Sequence, residues 1–452
     1  MLKFLQKEEE ILTNDVIKLD EKQEQAVHTL DDHVLVVAGA GSGKTRVLTE
    51  RIKYLINSGV KPSNIVAITF TNMASEEMKL RLKSVPKIGD CFVGTIHSFA
   101  NRIMKLNSED NYRIFDTEIS NSFHRELIEK YCKFLTNDRY LKYLDLKSAS
   151  ELGQIPEEMV TNFFTPSEHA ELCFIEGNSA PNNTELDPNN YPESIKDLCR
   201  KYNVIDFNDL LEMAIKFFQE NDSEIEHLLI DEFQDIGTLE YNFFKALNAK
   251  NNFYVGDDWQ SIYGFKGGNV NIMLSLINNK DYHIYRITNN YRSAQAIVDF
   301  SKDIIEQVPH RILKDITVLR NDYEGEVYIN NRGNAEYVIK TLLEDEENLK
   351  DWFILTRSNK DLYELDDLLS TLKIRHSVIR REGLSLNDLN NLMDFNSVKL
   401  MTVHTSKGLE APNVILYGNF PVNTPRYRNN PEERKVMYVG ITRAKDNLVL
   451  LN

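Results

Sequence analysis

The stretch Ala38-Gly-Ala-Gly-Ser-Gly-Lys-Thr45 decides how this chain is read. It follows His33-Val-Leu-Val-Val37, a β-branched run with the character of a buried strand, and opens a helical pattern over residues 45–58. It fits the phosphate-loop pattern with Ala in place of the first Gly, in the strand-loop-helix context that the pattern requires. Gly41 and Gly43 let backbone N–H groups approach an anion, Ala40 and Ser42 complete the cradle, and the helix N-terminus adds its dipole. Lys44 reaches the outer phosphates of a nucleotide, and the Thr45 hydroxyl can hold Mg²⁺. A chance glycine-rich turn would lack these flanks.

Working outward, buried strands recur at Ile65-Val-Ala-Ile-Thr69, Cys91-Phe-Val-Gly94, His227-Leu-Leu-Ile230 and Asn252-Phe-Tyr-Val255, separated by helical patterns. That alternation predicts an α/β fold with a parallel sheet covered on both faces. Residues 101–200 carry irregular helical patterns instead, including the Asn-, Pro- and Ser-rich loop of 176–194, and so look inserted into the first domain. A second α/β rhythm begins at 283, with strand candidates at 283–287, 327–330, 352–355, 397–402, 413–416 and 447–451. The expected organisation is a first α/β domain from 1–100 and 201–282, a helical insertion at 101–200, and a second α/β domain at 283–452.

Bulk properties narrow the class. An apolar content of 42% suits a globular protein. The absence of a long apolar run and the acidic start MLKFLQKEEE predict a cytoplasmic protein with no membrane span. Cys91, Cys132, Cys173 and Cys199 form no metal-ligand spacing and read as free thiols. The 53 basic and 69 acidic residues give a net charge of −16, so any nucleic-acid contact must rest on a local track.

The strand at 227–230 delivers Asp231-Glu232, which suits a metal-binding Asp beside a water-activating Glu. Alone, the pair reads equally well as two solvated carboxylates in a first helical turn. With the phosphate loop upstream it reads as the other half of an ATP site, with Thr45 and Asp231 as the metal ligands.

From Leu228-Leu-Ile-Asp-Glu-Phe-Gln-Asp235 onward the chain resembles the UvrD/Rep family of superfamily 1 DNA helicases, and the family's other signatures follow in order over nearly the whole length. Leu19-Asp-Glu-Lys-Gln-Glu-Gln-Ala-Val27 looks like the glutamine motif, which implies Gln23 on the adenine edge. Thr69-Phe-Thr-Asn-Met-Ala74 and Gly94-Thr-Ile-His-Ser-Phe99 are similar to its first DNA-contacting motifs, implying Phe70, Asn72 and His97 as DNA contacts. Asp206-Phe-Asn-Asp-Leu-Leu211 matches the segment before the metal-binding strand. Val255-Gly-Asp-Asp-Trp-Gln-Ser-Ile-Tyr-Gly-Phe-Lys-Gly-Gly268, closest in wording to the helicase IV branch, implies Gln260 at the γ-phosphate and Tyr263, Phe265 and Lys266 on DNA.

Asn289-Asn-Tyr-Arg292 resembles the motif in which Tyr291 stacks on adenine opposite Arg46 while Arg292 approaches the γ-phosphate. The stretch Lys399-Leu-Met-Thr-Val-His-Thr-Ser-Lys-Gly-Leu-Glu410 implies DNA contact at His404 and ribose contact at Glu410. Glu432-Glu-Arg-Lys-Val-Met-Tyr-Val-Gly-Ile-Thr-Arg-Ala444 implies Arg443 as the second γ-phosphate arginine. The resemblance thus implies two RecA-like domains with the ATP site between them. Because Arg292 and Arg443 come from the second domain, they complete that site only when it closes on the first. Phe70, Tyr263 and Phe265 then offer bases a sequence-tolerant stacking surface.

The departures from the family fall on the DNA side. Gly264 and Phe265 stand where Arg and Trp are usual, Lys266 replaces an Arg, and Met73 replaces a Lys, all of which lighten the cationic and aromatic grip. Only residues 358–397 separate Phe353-Ile-Leu-Thr-Arg357 from Val398, so the large second helical insert of the family is absent or vestigial there. Two functions remain open: an ATP-dependent single-stranded DNA translocase or helicase of 3′ to 5′ polarity in repair, replication or defence, acting on single-stranded or tailed DNA, or a nucleotide-gated subunit that switches a partner such as a nuclease. A small-molecule kinase fits poorly with two arginines arriving from a second domain.

Overall fold

The computed structural model describes residues 18–107, 111–115, 117–132, 135–151, 163–165, 168, 171–172, 195–380, 384–418, 420 and 430–452. Two six-stranded parallel sheets organise them. The first contains β1 (His33–Ala38), β2 (Ile65–Thr69), β3 (Phe92–Thr95), β4 (His227–Ile230), β5 (Asn251–Gly256) and β6 (His283–Ile287), in the order β3-β2-β4-β5-β1-β6. The second contains β7 (Glu326–Asn330), β8 (Trp352–Thr356), β9 (His376–Val378), β10 (Val398–Thr402), β11 (Ala411–Tyr417) and β12 (Ala444–Leu451), in the order β7-β12-β11-β8-β10-β9.

Period-two alternation explains why the central strands read as unbroken apolar runs. Along β1, Leu35 and Val37 enter a core with Leu228 and Ile230, whereas Val34 and Val36 enter a second core with Leu229 and Val255 on the other face. The second sheet repeats the arrangement: Phe353 and Leu355 of β8 share one core with Leu416, and Ile354 shares the other with Ile415. Each sheet is therefore covered on both faces, as parallel sheets require.

Two expected boundaries move. His283–Ile287 does not open the second domain; it pairs with Val34–Ala38 of β1 as the edge of the first sheet. Alternation reports how a strand is buried, not which sheet accepts it, and β6 is only half-buried. The insertion also leaves later than residue 101, because helix Ile96–Asn107 sends Phe99, Ala100 and Met104 into the first domain's core. Helices Thr117–Tyr131 and Asn137–Glu151 then gather a separate small core around Phe123, Leu127, Tyr140 and Leu198. A two-residue parallel pairing of Arg113–Ile114 with Val204–Ile205 ties off its neck.

Residues 358–397 build into the second domain as helix Asn359–Thr371, edge strand β9 and helix Leu386–Asp394. The predicted loop at 176–194 and Cys173 lie outside the described residues. Cys91 is buried and Cys132 and Cys199 are half-buried, all as free thiols. Among the described residues no helix is long and apolar enough to cross a membrane.

Where the two domains meet, Lys314 is wholly buried and ion-paired with both Asp257 and Asp258, at 2.6 Å from the latter. Its ammonium sits 4.6 Å from the centre of the Trp259 ring, whose Nε1 donates 2.9 Å to the Ile312 carbonyl. Removing one partner of such a buried group strands the charge of the others. We expect Lys314→Met to lower the unfolding free energy by about 3–5 kcal/mol, read from urea midpoints, whereas a shift under about 1 kcal/mol would show that the pair is not needed.

Candidate active site and nucleic-acid interface

Because every strand of the first sheet runs the same way, β1, β4 and β5 release their chains at one edge, the crevice where open α/β sheets bind ligands. The loop after β1 turns through Gly41 at φ +68° and Gly43 at φ +82° before the helix Lys44–Asn57 begins. Both positions favour glycine on conformation and on space. A Cβ at Gly41 would lie 2.8 Å from the Arg292 Cβ, and one at Gly43 would lie 3.0 Å from the Gln23 amide nitrogen.

Gln23 is buried and engaged. Its Nε2 donates 2.9 Å to the Ser42 carbonyl, and its Oε1 accepts 3.1 Å from the Asp20 N–H within a capping box of helix Glu21–His28. It thus braces the loop that carries Gly41 and Gly43. Tyr291 is exposed and its hydroxyl is bonded to Asp20, with Arg46 close enough to influence it electrostatically.

Thr45 Oγ1 donates 2.9 Å to Asp231 Oδ2, which brings a hydroxyl and a carboxylate side by side at the helix N-terminus. This hard-oxygen pair fits Mg²⁺, which keeps several waters and takes few protein ligands. Burial raises Asp231 above the ordinary carboxylate range, and the neighbouring charge of Glu232 adds to it, so the site favours a cation. Glu232 turns out of β4 at φ +52°, a left-handed conformation costly for a residue with a side chain. Burial would raise it too, but Lys44 and Lys407 hold it low and therefore ionised.

Gln260 and Arg443 meet across the domain boundary, with Arg443 Nη2 donating 3.3 Å to Gln260 Oε1. Arg443 is almost wholly buried, and its other bonds go to the carbonyls of Val439 and Leu409 and the Thr442 hydroxyl. None of these is a carboxylate. Burial pushes it down to about 9, with Arg292 adding repulsion. Arg292 is bonded to Glu410, which Lys445 holds from the other side at 2.8 Å. Burial opposes ionisation of Glu410, yet Arg292 and Lys445 keep it at about 2.

The UvrD/REP helicase N-terminal domain matches residues 19–281, and the UvrD-like helicase C-terminal domain matches 285–384 and 376–452. The chain belongs to the UvrD/REP helicase family. It is 31% identical over 393 residues to a probable DNA helicase II homolog of Mycoplasma capricolum, covering 80% of this chain and 52% of that one. It is 29% identical over 405 residues to the ATP-dependent DNA helicase PcrA of Leuconostoc citreum, covering 82% and 50%. A probable DNA helicase of Mycoplasma pneumoniae is 29% identical over 486 residues, covering 96% and 83%. The chain thus spans about half the length of the first two relatives.

In this UvrD-family chain Phe70, Tyr263, Phe265, Lys266 and His404, five of the candidate DNA residues, converge in an aromatic cluster beside the candidate ATP site. Phe70 stacks on Tyr263 at 4.9 Å, Phe265 meets His404 edge-on at 5.4 Å, and Lys266 lies 5.9 Å from the Phe265 ring. Phe265 is 67% exposed, so one aromatic face is free to stack. His97 sits apart, tilted against Phe207 at 4.7 Å, and Asn72 is exposed at the first turn of helix Asn72–Leu82. A cavity of about 210 Å³ reaches from Asp231 and Asp235 to Phe70, His97, Tyr263 and Lys266 and so joins the two sites.

Lys407 is the residue that motif reading passed over, although it lies inside the quoted stretch ending at Glu410. Its ammonium pairs with Asp235, lies 3.6 Å from Glu232 and donates 3.2 Å to the Gln260 carbonyl. It also sits 5.1 Å from the Tyr263 ring centre. A lysine midway between a candidate DNA histidine and a candidate ribose glutamate was the available signal.

Burial, helped by the Arg357 charge, lowers His404 from 6.5 to about 4. The unfolded chain therefore takes up this proton first on acidification, and the group withdraws stability as pH falls from 6.5 towards 4. His404→Asn should flatten the pH dependence of the urea midpoint in that window; an unchanged slope would show that His404 titrates normally.

Proposed function

We propose that this chain is an ATP-driven motor on single-stranded DNA, a translocase and helicase of 3′ to 5′ polarity serving DNA repair, replication or defence in the cytoplasm. The observation that carries the reading is Arg443: a buried guanidinium from the second domain, held by neutral oxygens, 3.3 Å from Gln260 of the first. A buried cation whose direct contacts are all neutral, with Glu410 and Glu232 acting only from a distance, is costly, and a γ-phosphate in the cleft is an anion that would satisfy it.

In this reading the loop Ala40, Gly41, Ser42, Gly43, Lys44 and Thr45 cradles the phosphates, Glu232 orients the attacking water, and Gln23, Arg46 and Tyr291 flank the base. Mg²⁺ on Thr45 and Asp231 would neutralise charge on the outer phosphates. Arg292 exchanges Glu410 for phosphate, which frees that carboxylate for a ribose. The domains close as Arg292 and Arg443 engage, and they open on release. Phe70, Tyr263 and Phe265 hold bases in alternation, each stacked base contributing about 1–3 kcal/mol, while Asn72, His97, Lys266 and His404 line the strand's path.

Lys44→Ala and Arg443→Ala should each lower ATP turnover by at least about a hundredfold while leaving the circular dichroism spectrum unchanged. Single-stranded DNA should stimulate the wild-type rate. Turnover indifferent to DNA would overturn the motor and support the alternative, a nucleotide-gated subunit that switches a partner such as a nuclease. Unwinding confined to 5′-tailed duplexes would overturn the polarity.

A further inference from the structure

Helix Leu386–Asp394 lies in the short segment between Arg357 and Val398, and it reaches back to the first domain. It packs against helix Asn72–Leu82, and the Leu386 N–H donates 3.4 Å to Glu76 Oε2. Met73, in the first turn of that helix, packs against the second domain's apolar core, whose members include Ile379 and Leu389. Leu392 and Met393 pack against the same core. The helix is firmly started, with a capping box between Ser385 and Asp388, and Leu389 is its buried anchor.

An apolar residue at 73 is thus accounted for by what it touches. A lysine there would carry its charge towards an apolar core, where an unpaired ammonium is unfavourable. Met73 also sits three residues from Phe70 and next to Asn72, so the contact joins the candidate DNA surface of the first domain to the body of the second.

We propose that helix Leu386–Asp394 is an interdomain strap held at Glu76, with Met73 securing the same joint by packing on the core that contains the helix's anchor Leu389, so that opening of the ATP cleft and movement of helix Asn72–Leu82 are one motion. Met73 is a positioning residue in this scheme. It touches neither nucleotide nor metal, and it acts by setting how readily the second domain closes. The inference rests on the motor reading for its consequence, although the strap itself can be tested on nucleotide binding alone.

The test uses the full chain and a fluorescent, non-hydrolysable ATP analogue as the probe. Met73→Lys and Met73→Gln weaken closure and raise both the analogue's Kd and the ATP KM by roughly fivefold, the cost of losing a partly buried methionine contact. Met73→Leu restores the wild-type Kd and KM. A change below twofold in Kd for both polar variants, with the fold intact, overturns the strap.

A second arm joins the elements covalently through Glu76→Cys and Leu386→Cys. The oxidised disulfide is expected to abolish DNA-stimulated turnover, and reduction to restore it; undiminished turnover in the oxidised protein overturns the coupling. Failure of the motor reading is recognised separately, because it removes DNA stimulation from the wild type while the Met73 effect on analogue binding persists.

Discussion

Burying a charge inside protein is unfavourable unless a partner is found, and three of this molecule's buried cations, Lys314, Lys407 and Arg443, lie on the seam between the two sheets. Lys407 comes from the second domain and finds Asp235 and Glu232 in the first. Lys314 finds Asp257 and Asp258, and Arg443 reaches across to the amide oxygen of Gln260. Because the partners of these cations lie in the other domain, the seam cannot widen without exposing or stranding charge. Electrostatics therefore shares in setting its geometry with the apolar contacts of Ala40 and Trp259 with Ile305 and Tyr438, and an added polyanion changes that balance at once.

The same groups connect the cleft to the aromatic cluster. Asp235 and Glu232 follow directly from β4, so their position is fixed by the sheet, whereas Tyr263 sits in the irregular segment after β5. Lys407 touches both, pairing with the carboxylates and lying over the Tyr263 ring. A shift of the second domain that moves Lys407 must alter the environment of Glu232 and of Tyr263 together. Phe70 stacked on Tyr263 and Phe265 against His404 extend that link to the exposed surface.

The readable parts of the chain are those where a local pattern dictates a local structure. The phosphate loop was legible because positive φ at Gly41 and Gly43 demands glycine and because Val34 to Val37 are apolar on both faces of a parallel sheet. Strand β6 was misassigned because its side chains are only half-buried, and nothing within residues 283–287 distinguishes β1 from a strand of the second sheet as its partner. The roles of Gln23 and Glu410 show a different limit. Their motifs suggest contacts to a nucleotide, whereas the structure shows each side chain bonded within the protein, Gln23 to Ser42 and Glu410 to Arg292 and Lys445. Pairings between residues far apart in sequence, such as Lys407 with Asp235 across 172 positions, leave no periodic trace.

The departures from the family are not scattered. Gly264 lies against Glu432 of the second domain, and a Cβ there would come within 2.2 Å of its carboxylate oxygen, an end that can swing aside. Met73 packs into the second domain's core. Both positions would ordinarily supply cations to the DNA side, and both instead serve the contact between domains. In the proposed motor reading, charge along the strand's path is exchanged for contact across the seam, and with a net charge of −16 stacking on Phe70, Tyr263 and Phe265 would carry the larger share of any grip on a strand. Binding carried by stacking depends less on salt than binding carried by phosphate contacts, since fewer counterions are released. In that reading a shallow salt dependence follows from the same substitutions that bring the two domains together.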